Sequence, residues 1–210
     1  MTSETQRALQ PVRLGDGALV HPGTDRRLAV EQWLLSTVSD VGMTRLEWEQ
    51  HHVAMLPLGT LFSAVRIPGR LVQAVAASTD PEDIDPVLEE TLEGPVICDP
   101  HGPRYYALVP ASMPRTWRAA ADDWRVADVD ALGRGTYLGV PRLDAVVLCP
   151  GAASYWSVQM PGPGALCAPL VVARLIAAGV HRLADERAPW PVDPPLTPAS
   201  TRSALTPADG

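Results

Sequence analysis

Residues 61–70, LFSAVRIPGR, combine the pattern of a buried β-strand with one full positive charge. The apolar residues before and after the charge, including Val65 and Ile67, are typical of a strand that faces the core. Arg66 interrupts this run, and no Asp, Glu or His occurs anywhere from residue 58 to residue 79. Its guanidinium could extend from a strand end to water, as long basic side chains do. The function of this arginine decides whether the strand belongs to a catalytic site.

The composition indicates a globular protein rather than a membrane or fibrous one. The chain has 210 residues, of which 46% are hydrophobic and 20% charged, with a net charge of −7. An acidic balance argues against a generally basic protein that coats nucleic acid, although a local basic face remains compatible with it. All 17 basic residues are arginine, which is typical of high-GC coding. No secretory signal and no membrane-spanning run is visible, so we expect a cytoplasmic protein without a membrane partner.

Three segments differ in composition. Residues 1–25 are polar and aperiodic, which predicts a disordered N-terminal arm. Residues 26–183 carry the apolar patterns and predict a single domain. Residues 184–210 are rich in Pro, Ala, Ser and Thr, which predicts a disordered tail that could bind a protein partner.

Strand pairs interrupted by single helices predict an α+β domain with a mainly antiparallel mixed sheet and flanking helices. Predicted helices cover residues 25–39, 44–50, 69–78, a capped segment ending at Gly94, 114–123 and 170–178, the last ended by Gly179. Thr44 and Glu47 have the spacing of a capping box. Predicted strands cover residues 53–58, a segment ending at Ile67, 96–99, 104–109, 136–140 and 155–159, with 146–149 as a further candidate.

Most motifs that would mark a catalytic centre are missing from the sequence. Cys98 with His101, and His51 with His52, have some resemblance to zinc ligands, but a structural zinc site needs four ligands in paired clusters. No nucleophile elbow and no P-loop is present. The segment DVDALGRGTYLGVP, residues 128–141, is a stronger candidate for a functional site. An Asp-x-Asp before a glycine turn could hold a divalent cation beside a phosphate-binding loop. Two Asp residues in a loop are also common turn formers.

Several segments together resemble the N-terminal domain of bifunctional DNA primase/polymerases, a branch of the archaeo-eukaryotic primase superfamily. The resemblance covers roughly residues 28–160, and its motifs are loose one by one but ordered and spaced as in the family. The matching segments are MLPLG (55–59), GPRYYALVP (102–110), Tyr155-Trp156, and the series Asp130, Gly133, Gly135, Tyr137, Val140 and Pro141, with Leu132 where members carry Arg.

The resemblance also implies a catalytic centre that this chain lacks. Members bind two metal ions through an Asp-x-Asp strand and a third carboxylate, and a His contacts the nucleotide phosphates. The Asp-x-Asp should lie between Gly59 and Gly69, where there is no acid, and the His position falls at Arg104 or Tyr105. Asp130 remains as the residual carboxylate. Two divalent ions close together need carboxylate ligands to neutralise them. The resemblance therefore implies a degenerate member, with Arg66 about where the metal-binding acids would be.

We therefore expect a non-catalytic primase/polymerase-like domain that binds a nucleotide, a nucleic acid or a protein, with no cofactor, no metal and no catalytic residue. Arg66, Arg104 and Arg134 are the candidates for contact with phosphate. One alternative is an active DNA primase/polymerase that uses Mg²⁺ or Mn²⁺ on a relocated carboxylate set, for example Asp99, Asp128 and Asp130. A structural protein without a ligand is the third. Convergence of Arg66, Arg104 and Asp130 on one cleft would distinguish them.

Overall fold

A computed structural model describes residues 12–13, 19–20 and 22–187. The strands are β1 Val12–Arg13, β2 Leu19–Val20, β3 Val53–Pro57, β4 Phe62–Pro68, β5 Val96–Asp99, β6 Arg104–Pro110, β7 Asp130–Leu132, β8 Tyr137–Pro141 and β9 Tyr155–Val158. The helices are α1 Pro22–Leu35, α2 Val41–His51, α3 Gly69–Ala76, α4 Pro81–Leu92, α5 Met113–Thr116, α6 Arg118–Trp124 and α7 Pro169–Arg187, with a 3-10 turn at Arg125–Ala127.

The strands form one central sheet and two small ribbons. The central sheet has the order β7-β4-β6-β5-β9, while β3 pairs with β8 and β1 pairs with β2. Every pairing between described strands is antiparallel. The predicted α+β class, with an antiparallel sheet and flanking helices, is confirmed.

A first hydrophobic core lies between one face of the central sheet and the helices α3, α4 and α7. Val65 and Ile67 of β4 point into it, since alternate residues of a strand face the same side. Helix α3 packs against α7, and α4 packs against β9. This layer leaves Arg66, between the two buried residues, on the opposite face.

A second core lies on that opposite face, where the β3–β8 ribbon and helices α1 and α2 cover the sheet. Phe62 and Ala64 of β4, Leu56 of β3 and Trp156 of β9 are buried in it. The indole N–H of Trp48 on α2 donates to the Val140 carbonyl oxygen at 2.8 Å and so fixes α2 to the ribbon. The fold therefore has three layers, with the central sheet in the middle.

Helix α2 begins three residues before the predicted start. Asp40 is its N-cap, and its carboxylate accepts a hydrogen bond from the Met43 amide at 2.9 Å. The predicted capping box is wrong, because the Thr44 hydroxyl donates to the Asp40 carbonyl and Glu47 accepts from the Met55 amide of β3. The N-cap of α2 is therefore Asp40, one turn upstream of the Thr44 cap that the Thr-x-x-Glu spacing suggested.

Both predicted domain boundaries fall inside helices. Residues 22–25 belong to α1, so Asp25 lies in its first turn rather than at its cap. Residues 184–187 belong to α7, which continues past Gly179. Within the predicted arm, β1 pairs with β2. The remaining residues of the arm and of the tail, 1–11, 14–18, 21 and 188–210, lie outside the described part.

Two other elements differ from the prediction. The helix expected over residues 114–123 is two helices, α5 and α6, which meet at Trp117, where φ is −111° and ψ is 24°. The candidate strand at residues 146–149 is irregular loop, and Val147 in it is 65% exposed. Its two β-branched residues, Val146 and Val147, do not pair with any of the described strands.

Within the residues that the structure describes, none of the helices combines the length and the apolar character needed to cross a membrane.

Candidate functional site

Arg66 has an acidic partner on the neighbouring strand. In the antiparallel register of β4 and β7, Arg66 lies directly opposite Asp130. Its Nη2 donates to the Asp130 carboxylate, and each side chain is 34% exposed. Opposite charges that face each other across strands stabilise a sheet by roughly 0.2–1 kcal/mol. Arg66 is therefore neither a free cation nor simply the end of a strand, because an ion pair holds its guanidinium.

A second ion pair continues the first. Arg70 in the first turn of α3 donates to the Asp128 carboxylate at 2.5 Å and to the Ala127 carbonyl oxygen at 2.8 Å. Between the two acids, Val129 is fully buried. The Asp-x-Asp spacing therefore places one apolar side chain in the core and turns both carboxylates towards arginines. One oxygen of each carboxylate, Oδ2 of Asp128 and Oδ2 of Asp130, accepts from a guanidinium.

Asp99 lies far from this pair of acids. It is at the end of β5, and β4 and β6 separate β5 from β7 in the sheet. Three strand spacings correspond to about 14 Å, whereas two-metal sites hold their ions about 4 Å apart. The structure therefore does not bring together Asp99, Asp128 and Asp130. In the described ranges, no three His, Cys, Asp or Glu side chains are grouped closely enough to hold a metal ion.

The three candidate arginines do not share a cleft. Arg104 pairs with Pro68 at one end of β4, and it is exposed. Arg134 lies two residues beyond Leu132, which pairs with Ala64, and is therefore near the opposite end of β4. The positions of Arg104 and Arg134 along β4 differ by about six residues of extended strand, which corresponds to about 20 Å. Arg66 lies on the same sheet face as Arg104, but it pairs with Asp130. Arg66, Arg104 and Arg134 therefore do not lie together, and their contact with phosphate stays a prediction.

Arg134 instead shares a cavity with Arg115, which the sequence analysis missed. The cavity has a volume of about 600 Å³. Its lining residues are Gly59, Ala111, Ser112, Pro114, Arg115, Gly133 and Arg134. No acidic side chain is among them, and neither arginine forms an ion pair with another described residue. Arg115 belongs to the segment MPRTWR, which contains two arginines. This local concentration of basic residues is the sequence feature that could have indicated Arg115 as a binding residue.

Two close contacts at glycines fix the walls of this cavity. Gly59 has φ +87°, and a Cβ built on it would lie 2.5 Å from the Arg134 amide nitrogen. A Cβ on Gly133 would lie 3.1 Å from Cγ of Pro114. The Thr136 amide donates to the Gly133 carbonyl at 3.1 Å, and Gly135 has φ +87°, as the third residue of a type II turn requires. The glycines thus seat the turn that carries Arg134 against the start of α5.

A row of polar side chains crosses the first core beneath α4. Asp85 of α4 accepts hydrogen bonds from the Tyr155 hydroxyl, at 3.2 Å, and from the Ser157 hydroxyl. Burial raises the pKa of the Asp85 carboxyl above its ordinary value, although these hydrogen bonds lower it in part. Next to Tyr155, Cys98 lies between Tyr155 and Tyr105 in the strand register. The row joins α4 to the sheet through satisfied polar groups.

The buried thiols of this region are poor nucleophiles at neutral pH. Burial raises the pKa of the Cys98 thiol to about 11 and that of Cys167 to about 12. A reactive thiol needs a lowered pKa, because the thiolate is the nucleophile. Burial likewise raises the pKa of Tyr105 and Tyr155. These groups are therefore part of the packing rather than of a catalytic site.

Replacing Asp85 with asparagine tests the sign of this burial effect. The amide oxygen can still accept from Tyr155 and Ser157, but the group carries no charge. Because the folded-state pKa is raised, the folded protein holds its proton more tightly than the unfolded chain, so wild-type stability falls as the pH rises through the pKa of Asp85. We expect the stability of Asp85→Asn relative to the wild type to increase as the pH rises from about 4 through the raised pKa of the folded-state carboxyl, as measured by urea unfolding. The opposite trend would mean that the hydrogen bonds outweigh burial.

The two adjacent histidines line a different cavity. His51 ends α2, and His52 follows it at φ 61°. Both face a cavity of about 570 Å³ beneath the loop of residues 142–154, which also carries the exposed Cys149. Cys98 is buried while His101 is exposed, so that pair does not form a common site.

The chain matches no family model, no curated protein and no solved structure.

Proposed function

We propose that this domain is a non-catalytic module of the primase/polymerase type, which binds the phosphate groups of a nucleotide or a nucleic acid in the cytoplasm. The observation that carries the proposal is the ion pair between Arg66 and Asp130 on adjacent strands. It places a cation on the strand where the resemblance requires metal-binding acids, and it occupies the one carboxylate that matched the family.

Polymerase chemistry needs carboxylates that this arrangement does not offer. Two metal ions activate the attacking hydroxyl and stabilise the leaving group, and the protein must supply closely spaced oxygen ligands for both. Asp128 and Asp130 are bound to Arg70 and Arg66. Asp99 lies on a strand that is three positions away in the sheet. The alternative, an active primase/polymerase with a relocated carboxylate site, would place metal ions on carboxylates that already pair with Arg66 and Arg70.

The local charge supports a phosphate ligand even though the whole chain is acidic. Arg115, Arg118, Arg125 and Arg134 lie on α5, on α6 and its 3-10 extension, and on the β7–β8 turn. Asp122 faces two of them, with nitrogen–oxygen distances of 3.9 Å to Arg118 and 3.6 Å to Arg125. Asp130 also lines the cavity that Arg118, Asp122 and Arg125 line, so the excess positive charge of this surface comes from Arg115 and Arg134. Binding through such a surface weakens as salt rises, because phosphate contact releases counterions.

A primer-extension assay tests the catalytic half of the proposal. We expect no nucleotide incorporation by the purified protein on a primed template with either Mg²⁺ or Mn²⁺, because the several kcal/mol of transition-state stabilisation that metal ions supply is missing. Fluorescence anisotropy with a labelled single-stranded oligonucleotide in metal-free buffer tests the binding half. Incorporation by the wild type that disappears in Asp130→Ala would establish the alternative, in which Asp130 is a metal ligand.

A protein-binding module is the second candidate, and an apolar groove favours it. The groove has a volume of about 460 Å³ and lies between α3, α6 and α7. Val126 in its wall is 94% exposed and Val180 is 42% exposed. Contiguous exposed apolar side chains often mark a protein interface. This candidate replaces the first if neither oligonucleotide nor nucleotide binds. Of the C-terminal tail in which a partner site is predicted, residues 188–210 lie outside the described part.

A further inference from the structure

We infer that the cavity lined by Arg115 and Arg134 is the site that holds a phosphate group, either of a free nucleotide or of a nucleic acid backbone. This inference rests on the proposed function, since it names the place where the phosphate binds. It also moves the site away from Arg66 and Arg104, to the opposite end of the central sheet.

The charge of the cavity selects for an anion. The net charge of the chain is −7, yet the side chains that line this cavity include two guanidinium groups and no carboxylate. Some of the other arginines are neutralised, as Arg66 is by Asp130, Arg70 by Asp128 and Arg142 by Asp144. Two guanidinium groups that have no ion-pair partner among the described residues repel each other in one concave site, and an anion placed between them removes that repulsion. The unbalanced charge therefore favours a bound anion.

The donors in the cavity match a tetrahedral oxyanion. A guanidinium offers a planar fork of N–H groups that binds two oxygens of one phosphate, with stronger hydrogen bonds than neutral donors make. Ser112 adds a hydroxyl to the same lining. Both arginine side chains are exposed, so a phosphate within a longer nucleic acid strand can reach them as easily as a free nucleotide. A volume of about 600 Å³ also lies within the range of small-molecule sites.

The backbone holds the two arginines in place before any ligand binds. Arg115 lies in α5, which begins beside Gly133, and Arg134 lies in the turn that packs on Gly59. A side chain larger than hydrogen at Gly59 would collide with the backbone of Arg134, so the two backbone segments are closely packed. Ligand binding then has to order only the two side chains and not the loops that carry them, which preserves affinity.

Four variants test the site: Arg115→Ala, Arg134→Ala, the double variant, and Arg174→Ala as the matched control. Arg174 is exposed on α7 and does not line the cavity. The probes are a labelled single-stranded oligonucleotide, ATP without metal, and inorganic phosphate as a competitor. We expect each cavity variant to bind roughly tenfold more weakly and the control to bind like the wild type. The slope of log affinity against log salt should fall by about one for each arginine removed.

The outcomes separate this inference from the proposed function. If the wild type binds the oligonucleotide and the double variant binds it equally well, the cavity is not the site, while phosphate binding stands. If the wild type binds neither oligonucleotide nor ATP, the proposed function falls, and the inference falls with it. Inhibition by ATP and phosphate together with loss of oligonucleotide binding in the double variant supports one shared site. Loss of ATP binding alone would assign the cavity to the free nucleotide. Thermal unfolding of each variant should match the wild type, because both side chains are exposed.

Discussion

Replacing Trp156 with alanine is expected to lower the free energy of unfolding by about 3–5 kcal/mol, the range for truncating a buried aromatic side chain. Trp156 on β9 is 2% exposed and lies in the second core. Its indole N–H donates to the Arg142 carbonyl oxygen at 3.1 Å, and its backbone amide donates to the Ala145 carbonyl at 2.7 Å. The side chain thus ties the edge strand to the loop that follows β8. Urea unfolding measures the change, and the melting temperature should fall by roughly 10 °C.

Trp156→Phe is the graded control for this prediction. Phenylalanine keeps much of the buried ring but has no N–H to donate, so we expect a loss of about 1–2 kcal/mol, from the hydrogen bond and the smaller volume. A loss below about 1 kcal/mol for Trp156→Ala, which surface positions typically show, would mean that the β3–β8 ribbon does not close over this part of the sheet.

Local patterns in the sequence predicted most of the strands and helices. The apolar runs of β3 and β4 and the Asp-Pro start of α4 gave boundaries within two residues of those observed. Asp80 caps α4 as such a residue should, accepting from the Glu82 amide at 3.0 Å. These signals depend on neighbours in the chain, so they can be recognised without knowledge of the tertiary fold.

The candidate site could not be predicted in the same way, because its contacts join distant residues. Arg66 and Asp130 are 64 positions apart, and only the pairing of β4 with β7 places one opposite the other. Residues 58–79 contain no acidic partner for Arg66, and the sequence does not indicate which distant acid lies opposite it. Arg115 and Arg134 meet for a similar reason, since Gly133 brings the β7–β8 turn beside Pro114. The chemistry of single residues was visible in the sequence, whereas their combination was not.

Gly179 shows that a glycine that predicts a helix end can instead be needed for tertiary packing. A glycine after an apolar helical run predicts a helix end, because glycine accepts the left-handed conformation that often follows the last turn. In the structure, α7 continues to Arg187 and Gly179 does not have a positive φ. A Cβ at this position would lie 2.6 Å from the Leu71 carbonyl oxygen of α3. The glycine therefore permits α3 and α7 to approach closely and does not end the helix.

Gly179→Ala is accordingly expected to destabilise the fold by about 1–3 kcal/mol, the usual cost of overpacking a closely packed site. Helix propensity alone gives the opposite sign, since alanine is better than glycine inside a helix by roughly 1 kcal/mol. The steric effect should win, because the added methyl meets backbone as well as the Cβ of Leu71 at 3.0 Å, and neither can rotate away. Urea unfolding of the variant and the wild type measures the difference.

Gly42→Ala is the matched control, because it makes the same chemical change in a helix without the neighbour. Gly42 is exposed on α2, and the nearest atom to its added Cβ is a carboxylate oxygen of Asp40 at 3.5 Å, which is ordinary contact. Propensity should therefore decide the result there, with a gain of up to about 1 kcal/mol. Opposite signs for the two variants would attribute the cost at Gly179 to its contact with Leu71. A gain at both positions would instead mean that α3 and α7 lie farther apart than this packing requires, and that the glycine has no role in holding them together.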